Sequence, residues 1–292
     1  MFIKSLCIRL FVLIQFCLPK HLLTLLAYKI ARIKQKSIKN FLIIQFIKFY
    51  GVNTHEIVEE IPDGFTTFNA FFTRTINHAF RHIDGSKKIL ISPSDGEISS
   101  IGKINGDQLF QAKGKNYGLH DLLMTNIDEA EKYINGTFVT IYLAPENYHR
   151  VHAPIDGKLI TLKYFPGNLF SVNNETISVI PKLFIRNERL LLQFQTDIGS
   201  VILILVGALN VGSITTPWTG ELRPRRNGAI EEILLPKDSH QNIKKGDLLG
   251  WFNLGSTVIL LLPPDTCELK SITKGDKIFM GTAIGELITF KN

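Results

Sequence analysis

The first fifty residues restrict the fold most strongly, because they are basic, apolar and free of acidic side chains. They contain nine Lys or Arg residues and no Asp or Glu, which leaves 24 basic against 26 acidic residues in the remainder. The whole formal net charge of +7 therefore originates in this segment. A basic stretch interleaved with Leu, Ile and Phe suits an anionic lipid surface better than nucleic acid or an ordinary helical hairpin. We expect it to dock peripherally on a membrane.

The same segment is not expected to span the membrane. A spanning helix takes roughly 20 apolar residues, whereas the apolar run of residues 6–18 is interrupted by Arg9 and Gln15 and ends at Pro19. A signal anchor is the second interpretation, although no clear small-residue cleavage site follows. The chain has only three cysteines, dispersed along the sequence, which predicts neither a disulfide framework nor a metal site. This favours the cytoplasmic face of the cell membrane.

The chain has two regions of different sequence pattern, and together they predict an α+β fold. Residues 1–76 are expected to form a helical membrane-docking region. Its first fifty residues would hold two or three helices, broken near Pro19 and around residues 36–40, and a further helix would cover 54–76 with its Phe side chains in a core. In residues 77–292, short apolar runs alternate with Gly, Pro and Asp, which predicts a mainly antiparallel β catalytic domain.

Individual elements can be placed within this β domain. Strands are predicted at residues 137–144, 159–165, 189–196, 201–206, 230–235 and 257–262. Two short helices are predicted at residues 119–124 and 128–134. Asp-Gly or Gly-Asp turns occur at residues 93–98, 154–159, 245–250 and 274–277. They favour tight hairpins of the kind found in small carrier-type β-sandwich domains.

Three short clusters contain side chains that can carry chemistry. Asp95 lies in a Ser-Asp-Gly turn, His149 and His152 lie between two prolines, and Ser256 follows Gly255. Each has a plainer interpretation: a turn residue, a packed histidine, a bend before a strand. Together they are the parts of an activated nucleophile, since serine needs a base and an imidazole base needs a carboxylate to fix its tautomer. Whether they meet in space is left open by the sequence.

Other kinds of site find less support. The spacing of His149 and His152 could hold a metal, but no third ligand accompanies the pair, which disfavours a metallopeptidase. The G-x-S-x-G motif of common hydrolases does not occur. A non-enzymatic carrier module would need a modifiable lysine at a hairpin tip, and no clear M-K-M or D-K-A sequence is present.

A larger set of motifs resembles the phosphatidylserine decarboxylase family, in its membrane-bound bacterial type. Leu254–Thr257 matches the family's LGST signature, and residues 142–145 (YLAP) run into Tyr148–Pro154 (YHRVHAP) as they do in the family. Further blocks look like the family's and follow in its order. They are residues 67–74, 111–117, 166–173 and 184–189. The final thirty residues match least clearly.

The resemblance implies an enzyme that cuts itself. The Ser256 hydroxyl would attack the carbonyl of Gly255. His152 would take the proton and Asp95 would orient the imidazole, because both positions match the family's charge-relay residues. The products would be an amino-terminal β chain and a carboxy-terminal α chain of 37 residues. They would stay together as a heterodimer that can dimerise further.

The same resemblance implies the chemistry. Ser256 would become a covalent pyruvoyl group, which takes the place of pyridoxal phosphate, and no metal is implied. The group would condense with the amine of phosphatidylserine and accept the electrons released as CO2 leaves, giving phosphatidylethanolamine. His149 matches the family's second histidine and is the candidate donor of the proton returned to the substrate Cα. A pyruvoyl decarboxylase of a soluble amino acid is the nearest alternative, which the basic apolar segment disfavours.

Overall fold

The computed structural model describes residues 12–112, 114–125, 127–209, 213–235 and 241–288. The start of the first expected helix, Cys7 and the last four residues lie outside these ranges.

Two long helices follow Pro19. Residues 12–17 are helical, and the break at Pro19 is confirmed, since proline interrupts a helix. Helix α1 spans Lys20–Ala31, and α2 spans Lys36–Tyr50. The second predicted break is present, but it lies at residues 32–35 rather than around 36–40. Helix α2 begins at the first of these residues, and none of them is a Gly or Pro that would interrupt it.

The helix predicted over residues 54–76 is also wrong. Only Thr54–Glu56 forms a turn of 3-10 helix, and helix α3 is short, Phe68–Phe72. Pro62 and Gly64 lie between them, and both disfavour a continuous helix. The rest of this segment is irregular and lies against α2.

A small core lies between α2, α3 and the end of α1. Its buried side chains are all apolar: Ala31, Ile43, Val52, Phe65, Phe68, Phe71 and Phe72. The prediction that these aromatic residues pack in a core is therefore confirmed. Thr67 caps α3, because its hydroxyl oxygen accepts a hydrogen bond from the Ala70 N–H at 3.0 Å.

The remaining helices are short. They are α4 (Leu119–Leu123), α5 (Ile127–Glu131), α6 (Asn174–Val179) and α7 (Leu183–Arg186), and a second 3-10 turn is formed by His78–Phe80. The two helices predicted near residues 119 and 128 are thus present, the second of them shorter than expected.

The described part of the chain from residue 89 onward forms eighteen strands. They are β1 (Ile89–Ile91), β2 (Gly96–Lys103), β3 (Gln108–Ala112), β4 (Lys115–Gly118), β5 (Thr137–Leu143), β6 (Arg150–His152), β7 (Gly157–Phe165), β8 (Arg189–Thr196), β9 (Gly199–Val206), β10 (Ile214–Thr216), β11 (Gly220–Leu222), β12 (Glu231–Glu232), β13 (Asn242–Ile243), β14 (Leu248–Phe252), β15 (Ser256–Leu262), β16 (Cys267–Leu269), β17 (Lys277–Ile278) and β18 (Ala283–Leu287). The α+β class with a mainly antiparallel β domain is confirmed.

Five of the six predicted strands are present, and one is wrong. Of the strand predicted at residues 230–235, only the two residues of β12 are in strand conformation, and they pair with β7. Beyond them the chain leaves the sheet, and Leu234 is 93% exposed. A strand extends only as far as a neighbouring strand pairs with it, and here the pairing with β7 ends at the Ile233 N–H, which donates to the Leu162 carbonyl at 2.8 Å.

Strand β15 lies near the centre of the largest sheet. That sheet has the order β12-β7-β8-β9-β15-β5-β2-β17, with β13 also paired to β7. A four-stranded sheet, β11-β10-β14-β6, and a three-stranded sheet, β1-β18-β16, adjoin it, and β3 pairs with β4. Every residue of β15 is buried, because strands flank it on both sides and the main core packs on the sheet.

The Asp-Gly and Gly-Asp turns do not close hairpins. They lead into β2, β7, β14 and β17, and the strand preceding each one belongs to a different sheet. These turns therefore carry the chain from one sheet to the next. One result is that β6 lies beside the turn before β2, where the His152 N–H donates to the Pro93 carbonyl at 2.7 Å.

Gly96 and Gly102 provide a matched test of close packing in β2. Their φ angles are 155° and 153°, so the backbone cost of alanine is similar at both. A Cβ on Gly96 would lie 2.4 Å from the Tyr142 carbonyl oxygen, whereas on Gly102 its nearest neighbour is Phe138 at 4.0 Å. We expect Gly96→Ala to be less stable than Gly102→Ala by about 1–3 kcal/mol in urea unfolding. Equal free energies of unfolding would contradict this packing.

Candidate active site

The three predicted clusters meet at one end of the nine-stranded sheet. Ser256, the first residue of β15, pairs with Leu143 at the end of β5. Strand β2, which follows Asp95, pairs with the other side of β5. The His149 carbonyl accepts the Phe252 N–H at 3.1 Å, which joins the histidine segment to the chain just before the serine. Residues far apart in sequence thus share one site.

Asp95 is buried and held by an arginine. Its Oδ1 and Oδ2 accept hydrogen bonds from Arg81 Nε at 3.0 Å and Nη2 at 2.6 Å, and Oδ1 also accepts the Met280 N–H at 2.8 Å. Arg81 Nη2 pairs with Glu56 as well, at 2.7 Å. Burial alone would lower the pKa of Arg81, but its hydrogen bonds to Asp95 and Glu56 raise the pKa above its usual range. Arg81 is therefore a permanent cation.

His152 is fixed in one tautomer by a backbone carbonyl. Its Nδ1 lies 2.8 Å from the Gly246 oxygen, and a carbonyl oxygen only accepts, so Nδ1 carries the hydrogen. In the neutral ring, Nε2 then accepts from the Tyr148 hydroxyl at 2.9 Å. Burial raises the pKa of Tyr148 to about 12, so this phenol stays protonated. His152 thus has a basic nitrogen, Nε2, engaged by a neighbouring hydroxyl.

His149 is fully buried in a different environment. Its ring stacks on Phe72, with centroids 4.1 Å apart, and Nε2 donates to the Pro145 carbonyl at 3.2 Å. Nδ1 has no hydrogen-bond partner among the described residues. Burial, and secondly the charge of Arg74, lower the pKa of His149 to about 3. It is therefore a neutral imidazole at neutral pH, with a free lone pair on Nδ1.

Ser256 has a buried hydroxyl that makes no hydrogen bond within the described part of the chain. A buried polar group left unpaired costs about 1–3 kcal/mol, and such groups in native proteins often have a functional cause. Gly255 before it has φ 44°, the left-handed region. A Cβ there would meet nothing within 4 Å, so the backbone conformation, rather than a lack of space, requires glycine.

Asn253 anchors the turn that precedes the serine. Its Nδ2 donates to Ser213 Oγ at 2.7 Å and Thr215 Oγ1 at 2.8 Å, and its Oδ1 accepts from Asn69 Nδ2 at 3.0 Å. Asn69 belongs to α3, the helix that also supplies Phe72 beneath His149. Helix α3 therefore positions both the histidine and the turn before the serine.

Two cavities of opposite character reach this site. One, of about 260 Å³, is polar and is lined by charged groups that include Arg74, Arg81 and Asp95, together with Tyr148. The other, of about 430 Å³, is mostly apolar. Its lining comes from α1, α2, α3 and the turn before β15: Ala27, Ile30, Ala31, Leu42, Phe46, Tyr50, Phe68, Phe72, Pro145, Leu209, Leu254 and Gly255. The residues between Ala144 and Tyr148 separate the two.

The arrangement has the parts for proton transfer at a serine. It offers an unpaired hydroxyl, a tautomer-fixed imidazole and a buried carboxylate, all at one sheet end. The hydrogen bonds described above join Asp95 to Arg81 and His152 to Tyr148. A charge relay from Asp95 through His152 to Ser256 therefore stays a prediction. Over the ranges that the structure describes, no three His, Cys, Asp or Glu side chains are grouped to hold a metal ion.

Sequence reasoning missed three residues of this site. Phe72 was expected only to pack, and the pattern gave no sign that it would stack on a histidine. Tyr148 lies inside a recognised motif, but its hydroxyl contact with His152 depends on how the chain turns. Arg81 is a single cation in an irregular segment, and only the tertiary fold reveals its pairing with Asp95.

Helix α1 exposes apolar side chains along one face. Leu22, Leu26 and Ile30, four residues apart, are each about half exposed. Its other face packs on the protein, where Arg32 pairs with Glu221 at 2.5 Å. No helix in the described ranges is both long and apolar enough to cross a membrane. Such a row beside basic side chains is typical of a helix lying on a lipid surface.

Comparisons with known proteins agree with these features. Residues 68–286 match the family model described as phosphatidylserine decarboxylase, and residues 10–51 match a second model described as PSD. The chain is 41% identical to a phosphatidylserine decarboxylase proenzyme of Methylococcus capsulatus, over 98% of this chain and 99% of the relative. Proteins of the same name from Legionella pneumophila and Idiomarina loihiensis are 44% and 40% identical, over 91% and 94% of this chain and 94% of each relative.

Proposed function

Because the chain belongs to the phosphatidylserine decarboxylase family, we propose that it converts phosphatidylserine to phosphatidylethanolamine and CO2 after cutting itself before Ser256. The observation that carries the proposal is the unpaired, buried hydroxyl of Ser256 behind a left-handed Gly255, where the Asp95 and histidine segments converge. The term proenzyme in the names of the relatives agrees with a chain that must be processed.

Self-cleavage begins with the attack of Ser256 Oγ on the carbonyl carbon of Gly255. The hydroxyl proton passes to His152 Nε2, once the Tyr148 hydroxyl has left that nitrogen, and the Gly255–Ser256 C–N bond breaks to give an ester. Loss of the Ser256 α-proton and elimination then free the Gly255 carboxylate. Hydrolysis of the new amino terminus releases ammonia. Asp95 stabilises the positive charge that His152 acquires.

A pyruvoyl group derived from Ser256 fits this position. The serine side chain makes no hydrogen bond to any residue that the structure describes, so none of these would be broken by its conversion, and β15 holds the residue in register with β5. When formed, the group supplies an electron sink for decarboxylation of a substrate that bears an amine. Neither a metal nor pyridoxal phosphate enters the proposal.

His149 is suited to hold a proton during turnover. It is neutral at rest, and its Nε2 hydrogen is engaged by Pro145, so Nδ1 is the atom that can accept a proton. Decarboxylation consumes one proton overall, because the bond from Cα to the carboxylate is replaced by a bond to hydrogen. His149 would take this proton from water at Nδ1 and deliver it to the substrate Cα after CO2 leaves. General acid–base assistance of this kind contributes roughly 10²- to 10⁴-fold.

The two cavities suit different molecules. The polar cavity, which includes Asp95 and Tyr148, suits the water and ammonia of self-cleavage. The apolar cavity, which includes Gly255 and Phe72, opens between α1 and α2 and suits the lipid. The exposed apolar face of α1 would lie on the membrane, so the headgroup could enter between the helices while its acyl chains stay in the bilayer. We place this peripheral docking on the cytoplasmic face.

The proposed function is tested by assaying CO2 release from phosphatidylserine in detergent micelles. We expect the wild-type chain to release CO2 from the phospholipid and to be inactive on free serine. Ser256→Ala should remain one chain and release none, while its folded structure, followed by circular dichroism, is retained. Activity on free serine but not on the lipid would favour the soluble amino acid alternative, and an active wild type that stays one chain would contradict self-cleavage.

Replacing each of the two histidines should impair a different step. His152→Ala, like Asp95→Ala, should leave the chain largely uncut, because the base and the carboxylate act on the Ser256 hydroxyl. His149→Ala should be cut and carry the pyruvoyl group, yet release CO2 slowly, by about 10²-fold or more. Denaturing electrophoresis and CO2 release per pyruvoyl group measure the two steps. Cutting of His152→Ala with an uncut His149→Ala would reverse the assignment.

Membrane docking should depend on the exposed face of α1. The triple change Leu22→Ser, Leu26→Ser and Ile30→Ser removes apolar contact with the bilayer and should weaken sedimentation with anionic vesicles at least about 10-fold. Ile160→Ser is the control, because that side chain is similarly exposed on β7. Wild-type binding should weaken with salt but persist, since apolar burial is not screened. Undiminished sedimentation of the triple variant would place the anchor elsewhere.

A further inference from the structure

Arg81 uses its whole guanidinium to hold buried partners. Nε and Nη2 bind the two oxygens of Asp95, Nη2 also pairs with Glu56, and Nη1 donates to the Phe80 carbonyl at 2.9 Å. The group also lies over the Phe279 ring, 4.7 Å from its centroid. The side chains of Arg81 and Asp95 are each 3% exposed. No step of the proposed reaction uses Arg81 directly.

The forked contact with Arg81 fixes the orientation of the Asp95 carboxylate. A carboxylate buried alone favours its neutral form, whereas two parallel hydrogen bonds from an arginine stabilise the ionised form and fix its plane. A lysine in place of Arg81 would supply the positive charge but could not donate two parallel hydrogen bonds to the carboxylate. The Met280 N–H on Oδ1 adds a third donor. Arg81 therefore supplies two of these three hydrogen bonds and holds the carboxylate of Asp95 in one orientation.

The ion pair also connects the amino-terminal region to the site. Glu56 belongs to the 3-10 turn that follows α2, and its contact with Arg81 is the second anion on that guanidinium. Arg81 thus lies between a carboxylate of the helical region and the carboxylate beside β2. The polar cavity beside Asp95 is lined by further charged or titratable groups, which are Arg74, Glu97, Glu146, Tyr148 and Lys277.

We propose that Arg81 is a positioning residue for self-cleavage, which it supports by holding the Asp95 carboxylate in a fixed orientation. This inference rests on the proposed function. Its effect should be confined to maturation, because the Ser256 hydroxyl that must lose a proton no longer exists in the mature enzyme. A residue that only stabilised the fold would instead affect maturation and turnover alike.

The test follows self-cleavage and turnover separately in full-length variants. Chains are made by cell-free translation in detergent, pulse-labelled, and followed by denaturing electrophoresis. Arg81→Met should slow cleavage roughly 10- to 100-fold, a part of what a general base contributes. Arg81→Lys should restore part of the rate, and Glu56→Gln should have a smaller effect. In each variant, CO2 release per pyruvoyl group should stay within about 2-fold of the wild type.

Arg189→Met is the matched control. Arg189 is equally buried, 1% exposed, and donates to the carbonyls of Leu122 and Ile185 at 2.9 Å, on another part of the fold. Its loss should lower the melting temperature, while the folded fraction matures at the wild-type rate. If Arg81→Met does not fold, Arg81→Lys and Glu56→Gln decide the question.

Two results would overturn the inference. One is cleavage of Arg81→Lys and Glu56→Gln at the wild-type rate, with Arg81→Met, if folded, cleaving at that rate as well. The other is an equal loss of cleavage and of turnover per pyruvoyl group in Arg81→Lys. Failure of the proposed function would be distinct, because the wild-type chain itself would then remain uncut.

Discussion

The placement of β15 between β5 and β9 is the constraint on which the rest of the structure depends. Seven residue pairs join β15 to β5 and five join it to β9. Ser256 begins this strand, so the sheet fixes the serine while the preceding turn adopts the conformation that glycine allows. Strands β17 and β18, which follow in the same segment, pair with β2 and β1. A cut before Ser256 would therefore leave both pieces interleaved in two sheets, which explains how a heterodimer could persist without a covalent link.

Helix α3 connects the amino-terminal helices to the candidate active site. Asn69 supports the turn before the serine, and Phe72 stacks on His149. Just after the helix, Arg74 donates to the carbonyls of Glu146 and Asn147, at 2.8 and 3.2 Å, and so holds the turn that separates the two cavities. The proposed division of the chain at residue 76 is thus one of sequence composition, since side chains on both sides of it form one site. The amino-terminal helices and the candidate active site are accordingly linked in space.

Short-range patterns in the sequence predicted most of the strands and the local identity of the site. The run after Ser256 is a strand because most of its residues are β-branched or aliphatic, and the bend predicted before it is made by Gly255 in the left-handed conformation. The sequence-based predictions were wrong where contacts between distant segments decide the structure. Residues 230–235 contain four apolar side chains but pair with β7 over only about three residues. The Asp-Gly turns join different sheets because strand pairing is decided by long-range contacts. Arg81 and Tyr148 escaped notice for the same reason, since their roles arise only when distant segments meet.

The central claim is that this chain makes its own prosthetic group at Ser256, and the mass of the purified intact protein tests it most directly. The account predicts two masses: one for a chain ending in a free carboxylate at Gly255, and one for residues 256–292 that is lighter than the corresponding peptide by one ammonia. A single mass for the uncut chain, measured on protein that decarboxylates phosphatidylserine, would contradict it.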